Sequence, residues 1–258
     1  MPSYSSLALL YDGLMAEVDY CAWARYIDQL IRQYGAPGRR LLDLGCGTGT
    51  LTINLHQAGY DTVGIDLSYD MLAIAANKGM AAGLGIEHWR AMDMRDLRFP
   101  NASFDVVLCA CDGFNYLAGE SDLNQALAAT ASVLAPDGLL LFDVHTKYKM
   151  QQVFTAGPFV QECEAGICIW SSQFDTDTED LVHEMTIFIH QQNELWRRYE
   201  EVHRQHYFSP EVIKKALAAN GFSLLAVLPW GEVFGNATAT TERLQYIARR
   251  CDDSLAKC

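Results

Sequence analysis

Between residues 40 and 145, short apolar runs alternate with helical patterns, and this constrains the fold more than any other feature. The runs RLLDLG and DTVGIDL predict buried strands, while TLTINLHQAG and YDMLAIAANKGMAAG carry apolar residues at helical spacing. Strands that alternate with helices form a parallel sheet with helices on both faces. The region therefore predicts a doubly wound α/β fold, in which the later strands are IEHWRAMD, SFDVVLCACD and LLLFDVH and the last helix, DLNQALAATASVLAPDG, stops at Pro136 and Gly138.

The pattern changes after His145. Three β-rich runs separated by turn residues, ICIWSSQFDTD, LVHEMTIFIHQQ and ELWRRYEEVHRQHY, predict an antiparallel hairpin insertion over residues 159–207. The segment SPEVIKKALAANGF then predicts a helix capped by Ser209 with Pro210 in its first position, followed by strands near 222–230 and 242–249. We expect two units, a core of residues 1–158 and 208–258 and the insertion of residues 159–207.

The charge balance argues against polyanionic partners. The 258 residues include 19 Lys and Arg and 32 Asp and Glu, which gives a formal net charge of −13. A surface of this sign repels nucleic acid and anionic lipid unless a basic patch overrides it. The sequence contains no basic patch, no secretory signal and no run long enough to cross a bilayer. We expect a cytoplasmic protein with no membrane partner and little affinity for nucleic acid, and the sequence leaves a homodimer open.

The eight cysteines form no CxxC pair, and Cys109 and Cys111 fall in a run that predicts a buried strand. Structural zinc sites usually draw on closely spaced ligand pairs. We therefore expect reduced thiols and no metal site.

Three glycines, Gly45, Gly47 and Gly49, follow the first strand and open a helix. Such a loop turns backbone amides and the positive helix end toward a ligand at close range. The spacing G-x-G-x-G differs from the G-x-G-x-x-G of dinucleotide-binding folds, and the loop lacks the Gly-Lys-Ser/Thr ending of a triphosphate loop. A tight turn of purely structural use is the alternative.

Two acids stand at the ends of the next strands. Asp66 closes the second strand, where an acid can accept hydrogen bonds from both ribose hydroxyls. Asp93 closes the third and is placed to accept from an adenine amino group. Each acid alone is equally well explained as a cap of the helix or turn that follows. Together with the glycine loop they predict a nucleoside-containing ligand.

The stretches LLDLGCGTGT, GIDLSYDML, MDMRDL and FDVVLCACDGFNYL, in this order, resemble the motifs of class I S-adenosylmethionine-dependent methyltransferases. The segments YDGLM, VDYCAW and EEVHRQHY are similar to a subgroup of small bacterial methyltransferases. The resemblance implies a Rossmann-like, mostly parallel seven-stranded sheet, S-adenosylmethionine as cofactor and the insertion as a lid. The residues that it assigns to the cofactor are Tyr11, Tyr20, Asp43, Gly45, Cys46, Gly47, Gly49, Asp66, Leu67, Met71, Asp93, Met94 and Cys111. Core packing is the alternative for Met71 and the two tyrosines.

The acceptor is expected over residues 111–117, because ligands of open α/β sheets bind outside the carboxyl ends of the strands. Asp112 and Asn115 are expected to orient it, with Phe114 and Tyr116 as walls or as core residues. The family's DNA and protein amino methyltransferases often carry Asn/Asp-Pro-Pro-Tyr here. The sequence DGFNYL at this place argues against such substrates.

Strand periodicity places Glu201, His203, Gln205 and Tyr207 on one face of the insertion. We expect this face to line the acceptor pocket, with His203 as a general base; the alternative is a solvated face opposite the apolar side chains of Trp170, Ile187 and Trp196. The predicted function is methyl transfer from S-adenosylmethionine to a small molecule. A tRNA-modifying methyltransferase and a non-catalytic module that binds the cofactor remain as alternatives.

Overall fold

The structure is a computed structural model that describes residues 6–251, apart from the side chain of residue 194. The outer ends of the predicted core unit, residues 1–5 and 252–258, lie outside the described residues. The helices are α1 (Ala8–Leu14), α2 (Tyr20–Tyr34), α3 (Thr50–Gln57), α4 (Tyr69–Ala81), α5 (Glu120–Val133) and α6 (Pro210–Ala219). The strands are β1 (Arg40–Leu44), β2 (Asp61–Asp66), β3 (Trp89–Ala91), β4 (Phe104–Cys109), β5 (Leu134–His145), β6 (Phe159–Cys163), β7 (Gly166–Phe174), β8 (Asp180–His190), β9 (Trp196–His206), β10 (Phe222–Pro229) and β11 (Arg243–Arg250).

The larger sheet has seven strands in the order β10-β11-β5-β4-β1-β2-β3. Strand β11 runs antiparallel to both of its neighbours, and the remaining pairs are parallel. This confirms the predicted doubly wound, mostly parallel sheet. The strand order reverses between β1 and β4, which opens a crevice at their carboxyl ends.

Helices cover both faces of this sheet because successive side chains of a strand point to opposite sides. On β1, Leu41 packs with the α2 and α3 side, whereas Leu42 packs with the α5 and α6 side. Helix α6 begins as predicted, with the Ser209 hydroxyl accepting a hydrogen bond from the Val212 amide at 3.2 Å. None of the helices within residues 6–251 combines the length and the apolar character that a membrane span requires.

The predicted stop of α5 at Pro136 and Gly138 is wrong by a few residues. Helix α5 ends at Val133, and Leu134 already pairs with Phe104 of β4. The register then shifts, because Asp137 adopts a left-handed backbone conformation with φ of 61°. The turn signals in the sequence therefore mark an irregularity inside β5 instead of the helix end.

The insertion forms a four-stranded antiparallel sheet, β6-β7-β8-β9, and is more elaborate than the predicted hairpin. Strand β6 escapes prediction because Val160, Gln161 and Glu162 are all exposed, so the alternation of a half-buried strand is missing. His183 of β8 pairs with His203 of β9, and Ile187 pairs with Tyr199. Polar and apolar side chains therefore lie on the same buried face of this sheet. The alternative, a solvated polar face opposite the apolar side chains, does not describe these pairs.

Candidate active site

The glycine loop joins β1 to α3, and its three glycines have φ values of 69°, 55° and 75°, which favour glycine. A Cβ atom on Gly47 would meet no atom of the described residues within 4 Å, and one on Gly45 would meet only the Met94 methyl group, at 3.8 Å. A Cβ atom on Gly49 would lie 2.6 Å from the Trp89 ring. Gly45 and Gly47 therefore leave room for a ligand, whereas Gly49 leaves room for Trp89.

A cavity of about 430 Å³ opens beside Gly45 and Gly47, at the carboxyl ends of β1, β2 and β4, and we call it the strand-end cavity. The cavity is enclosed by α1, the glycine loop, the start of α4, the segment after β3 and the turn after β4. Its lining residues are Tyr11, Gly45, Gly47, Ile65, Asp66, Leu67, Ser68, Tyr69, Asp70, Met71, Met92, Met94, Cys111, Gly113 and Tyr116.

Asp66 presents a carboxylate to this cavity. Its two oxygens accept hydrogen bonds from the Gly47 amide at 2.9 Å and the Ser68 amide at 2.8 Å. Burial raises the pKa of Asp66, and these backbone amides oppose that effect. A carboxylate has about four acceptor positions. Asp66 therefore keeps acceptor capacity for a ribose hydroxyl in the cavity.

Asp43 lies behind the glycine loop and does not line the cavity. Its carboxyl group is buried and accepts a hydrogen bond from the Thr52 hydroxyl at 2.6 Å, which links β1 to α3. Burial raises the pKa of Asp43 to about 7 against the lowering effect of the Thr52 hydrogen bond. The geometry gives Asp43 a role in holding the loop.

The raised pKa of Asp43 predicts a pH dependence of stability. Because the folded pKa exceeds that of the unfolded chain, the stabilisation by Asp43 is complete at low pH and is lost as pH rises through about 7. In the wild type, the free energy of unfolding should fall by about 2–4 kcal/mol between about pH 4 and pH 8. This fall should be absent in Asp43→Asn. Urea unfolding at several pH values measures this. Asp61→Asn, at the exposed start of β2, is the control, and an equal fall in Asp43→Asn and wild type would contradict the prediction.

The segment after β3 differs from the expectation. Asp93 is held by the Arg95 guanidinium at 2.7 Å, and this hydrogen bonding lowers the pKa of Asp93 despite partial burial. Its carboxylate does not line the strand-end cavity, whereas Met92 and Met94 do. The sequence reasoning named Met94 and missed Met92, although alternation around Asp93 is a signal that could have found it.

Four further residues assigned to the cofactor by the resemblance line the cavity: Tyr11, Leu67, Met71 and Cys111. The Tyr11 hydroxyl lies 3.8 Å from the Cys111 sulfur, and the neighbouring thiol and burial both raise the pKa of Tyr11. Cys46 and Tyr20 lie elsewhere: Cys46 packs beside Trp89, and the Tyr20 ring stacks on Trp23. Burial raises the pKa of the Cys46 thiol, which fits a packing role.

The turn after β4 is held from behind by buried charges. Cys111 and Asp112 both have left-handed φ values, 56° and 54°, and both amides donate to Asp143, at 2.9 and 3.0 Å. The Asp112 carboxylate accepts from Gln205 at 2.6 Å and from Arg243 at 2.9 Å. Burial alone would raise the pKa of Asp112, but His145 and Arg243 lower it strongly.

Asn115 is also a link between elements. Its amide nitrogen donates to the His206 carbonyl at 2.8 Å, and its oxygen accepts from the His145 amide at 3.0 Å. Neither Asp112 nor Asn115 lines the strand-end cavity. The expected contact with the acceptor is therefore replaced, for both side chains, by a position that fixes the turn carrying Cys111 and Tyr116.

His203 is fully buried and belongs to a hydrogen-bonded chain that ends at the cavity. The Tyr116 hydroxyl lies 3.4 Å from His203 Nδ1, and His203 Nε2 lies 3.0 Å from the Glu201 carboxylate. The other Glu201 oxygen accepts from the Ser6 amide and, at 3.1 Å, from the Leu7 amide. Burial would raise the pKa of Glu201, but these hydrogen bonds leave it below the ordinary value. We call Tyr116, His203 and Glu201 the relay.

The direction of the hydrogen bonds in the relay follows from the groups at its two ends. A carboxylate with a low pKa only accepts hydrogen bonds, so His203 carries its hydrogen on Nε2 and accepts at Nδ1 from the Tyr116 hydroxyl. The sequence predicts a role for His203 but gives Tyr116 only as a wall or core residue. Tyr207 follows the end of β9 and lies outside the relay, with the Lys147 ammonium over its ring.

Within the described part of the chain, no group of three or more His, Cys, Asp or Glu side chains is arranged to hold a metal ion. The free space at Gly45 and Gly47, the Asp66 carboxylate and the apolar wall of Met71, Met92 and Met94 fit a ligand with a charged amino-acid end, a ribose and a flat base. These are the parts of S-adenosylmethionine.

Comparisons with known proteins point to the same cofactor as the residues of this site. The model of a family described as a methyltransferase domain matches residues 41–138. A putative methyltransferase of Geobacillus sp. is 36% identical over 250 residues, which cover 96% of this chain and 100% of that protein. A dTDP-3-amino-3,6-dideoxy-alpha-D-glucopyranose N,N-dimethyltransferase of Streptomyces fradiae is 29% identical over 227 residues, and the match covers 83% of this chain and 86% of that protein.

A crystal structure of an S-adenosylmethionine-dependent methyltransferase from Clostridium acetobutylicum has a TM-score of 0.84 and 28% identity, and the match covers 96% of this chain and 99% of that one. The resemblance found in the motifs is thereby confirmed, and S-adenosylmethionine is the cofactor. This chain belongs to the S-adenosylmethionine-dependent methyltransferases.

Proposed function

We propose that this enzyme methylates a small-molecule acceptor whose reacting atom carries a proton. The observation that carries this proposal is the relay, because a buried Tyr–His–Glu chain that ends at the cofactor's cavity is suited to accept a proton there. A methyltransferase whose acceptor arrives without a proton has no need of such a chain.

The chemistry of the residues that line the strand-end cavity suggests where each part of the cofactor would bind. The loop at Gly45 and Gly47 would receive its amino-acid end, Asp66 its ribose, and Met92 and Met94 its base. When bound, S-adenosylmethionine supplies an electrophilic methyl group on a sulfonium. The protein then contributes orientation and a water-poor pocket.

The proton has a defined route in this proposal. As the acceptor is methylated, its proton would move to the Tyr116 oxygen. The Tyr116 proton moves in turn to His203 Nδ1, and Glu201 stabilises the resulting imidazolium. Tyr116 is the catalytic residue, and His203 and Glu201 are positioning residues that act through it.

A small acceptor is favoured over a nucleic acid for two reasons. The net charge of −13 disfavours the approach of a polyanion. The Streptomyces fradiae relative is named for an amino-sugar acceptor, which is a small molecule. The second sheet, which would cover the acceptor as a lid, contacts the turn after β4 through Gln205 and His203.

The acceptor class can be tested by incubating the enzyme with methyl-labelled cofactor and a cell extract separated into small molecules, RNA and protein. We expect label in the small-molecule fraction, dependent on enzyme. Label that enters RNA or protein instead would overturn the proposal, and no transfer to any fraction would favour a module that only binds the cofactor. Heat-treated enzyme is the control.

The assignment of Asp66 gives a binding prediction. Asp66→Ala removes a charged hydrogen-bond acceptor and should weaken binding of S-adenosylhomocysteine by about 1.5–3 kcal/mol. Calorimetry on the purified protein measures the change, with Asp61→Ala at the other end of β2 as the control. An unchanged affinity would contradict the ribose assignment.

A further inference from the structure

A second cavity, of about 450 Å³, lies beside the strand-end cavity and shares Cys111 with it. Its wall includes Met15, Trp23, Lys149, Trp230 and Arg243 from α2, β11 and the segments next to α1, β5 and β10. The two indole rings meet edge to face at 5.1 Å. We call this the tryptophan cavity, and the mechanism above makes no use of it.

The two cations of the tryptophan cavity differ in their partners. The Arg243 guanidinium is held by Asp143 and Asp112, both at 2.9 Å, so its charge is balanced inside the protein. The Lys149 side chain is only 17% exposed, and its ammonium makes one looser ion pair, at 3.6 Å with Glu242, and lies over the Phe154 ring at 5.2 Å. A cation in such a place is costly unless it is paired. Lys149 therefore offers a positive charge to a ligand.

The acids of the cavity are positioned differently. Glu242 is 51% exposed and Glu232 is exposed, so both belong to the rim and are solvated there. The inner part of the cavity thus combines an ammonium group with apolar aromatic walls.

We propose that the tryptophan cavity binds the body of the methyl acceptor, and that this acceptor is a small carboxylic acid with an apolar or aromatic body. The carboxylate pairs with Lys149, the body lies against Trp23 and Trp230, and the reacting atom extends past Cys111 into the strand-end cavity, where Tyr116 lies. The one cation with a loose partner balances a single negative charge, which favours a carboxylate over a phosphate dianion. The inference rests on the proposed function and names its substrate class.

The binding test uses four aromatic probes that differ in charge: benzoate, phenyl phosphate, benzyl alcohol and benzylamine. Calorimetry measures the affinity of each probe. We expect benzoate to bind at least about tenfold more tightly than benzyl alcohol, as one buried charged hydrogen bond provides. Phenyl phosphate should bind no more tightly than benzoate. Tighter binding of benzylamine or of phenyl phosphate than of benzoate would overturn the proposal.

A pair of lysine variants locates the effect. Lys149→Met should abolish the preference for benzoate. Lys147→Met is the matched control, because Lys147 lies two residues away, pairs with Glu179 at 2.7 Å and does not line the cavity, so the preference should persist. A preference that survives in Lys149→Met would overturn the assignment of that residue.

Competition and product charge complete the test. S-adenosylhomocysteine should not compete with benzoate, and competition would place benzoate in the strand-end cavity and overturn the proposal. In the extract assay the labelled small molecule should bind an anion exchanger, since its carboxylate is the anchor and stays unmodified. A labelled product that is neutral or cationic would overturn the substrate class alone, whereas label in RNA or protein would overturn the proposed function itself.

Discussion

Tyr116→Phe should lower the turnover number about 100- to 10,000-fold, the range that general base catalysis usually contributes. The variant keeps the ring that lines the strand-end cavity and removes only the hydroxyl that faces His203. Single-turnover transfer of labelled methyl to the acceptor fraction measures the rate, and calorimetry with S-adenosylhomocysteine should show nearly unchanged affinity. Tyr69→Phe is the control, because Tyr69 lines the same cavity but is largely exposed.

The positioning residues can be separated from merely structural ones by comparing turnover with cofactor affinity. His203→Gln removes the imidazole that accepts the Tyr116 proton, so it should lower turnover while calorimetry with S-adenosylhomocysteine shows nearly unchanged affinity. Glu201→Gln should lower turnover less, since the histidine remains. An equal loss of turnover and cofactor affinity in His203→Gln would contradict the relay.

Arg243→Met should lower the free energy of unfolding by about 3–5 kcal/mol, because it leaves buried carboxylates without their charged partner. The guanidinium contacts both Asp112 and Asp143, and Asp143 in turn holds the two left-handed residues of the turn after β4. Urea denaturation measures the loss. Arg198→Met, which removes an exposed pair with Glu200, should change stability by no more than about 0.5 kcal/mol.

A second substitution checks the cause of that loss. Asp112→Asn in the Arg243→Met background removes one of the two buried charges that Arg243 balanced and should recover part of the lost stability, so the two changes are not additive. Full additivity would mean that Arg243 stabilises the protein through packing against Trp230, over whose ring it lies at 5.5 Å, and not through the carboxylates.

The strand-and-helix alternation and the glycine loop were predictable because both depend on local sequence. Gly45 and Gly47 lie in the tight turn that follows the first strand, Asp66 closes the second strand, and all three line the strand-end cavity. Gly49 and Cys46 carry the same motif, yet both pack toward Trp89, which is about forty residues away in sequence and lies beside the loop only once β3 has joined the sheet.

The part of the site that we propose for the acceptor is less predictable because it is assembled from distant segments. Asp112 was expected to orient the acceptor, but Gln205 and Arg243 come from β9 and β11 and occupy its carboxylate. Periodicity placed His203 and Glu201 on one face of β9 without indicating whether that face is buried. Their contacts with Tyr116 and with the Ser6 and Leu7 amides depend on how the second sheet packs on the first.

A crystal structure with S-adenosylhomocysteine tests most directly whether the cofactor and the relay meet in one cavity. We predict the amino-acid end of the ligand at Gly45 and Gly47, its ribose on Asp66, and its sulfur on the side of the cavity formed by Cys111 and Tyr116. A ligand bound elsewhere, or one whose sulfur faces away from Tyr116 with no open path between them, would contradict it.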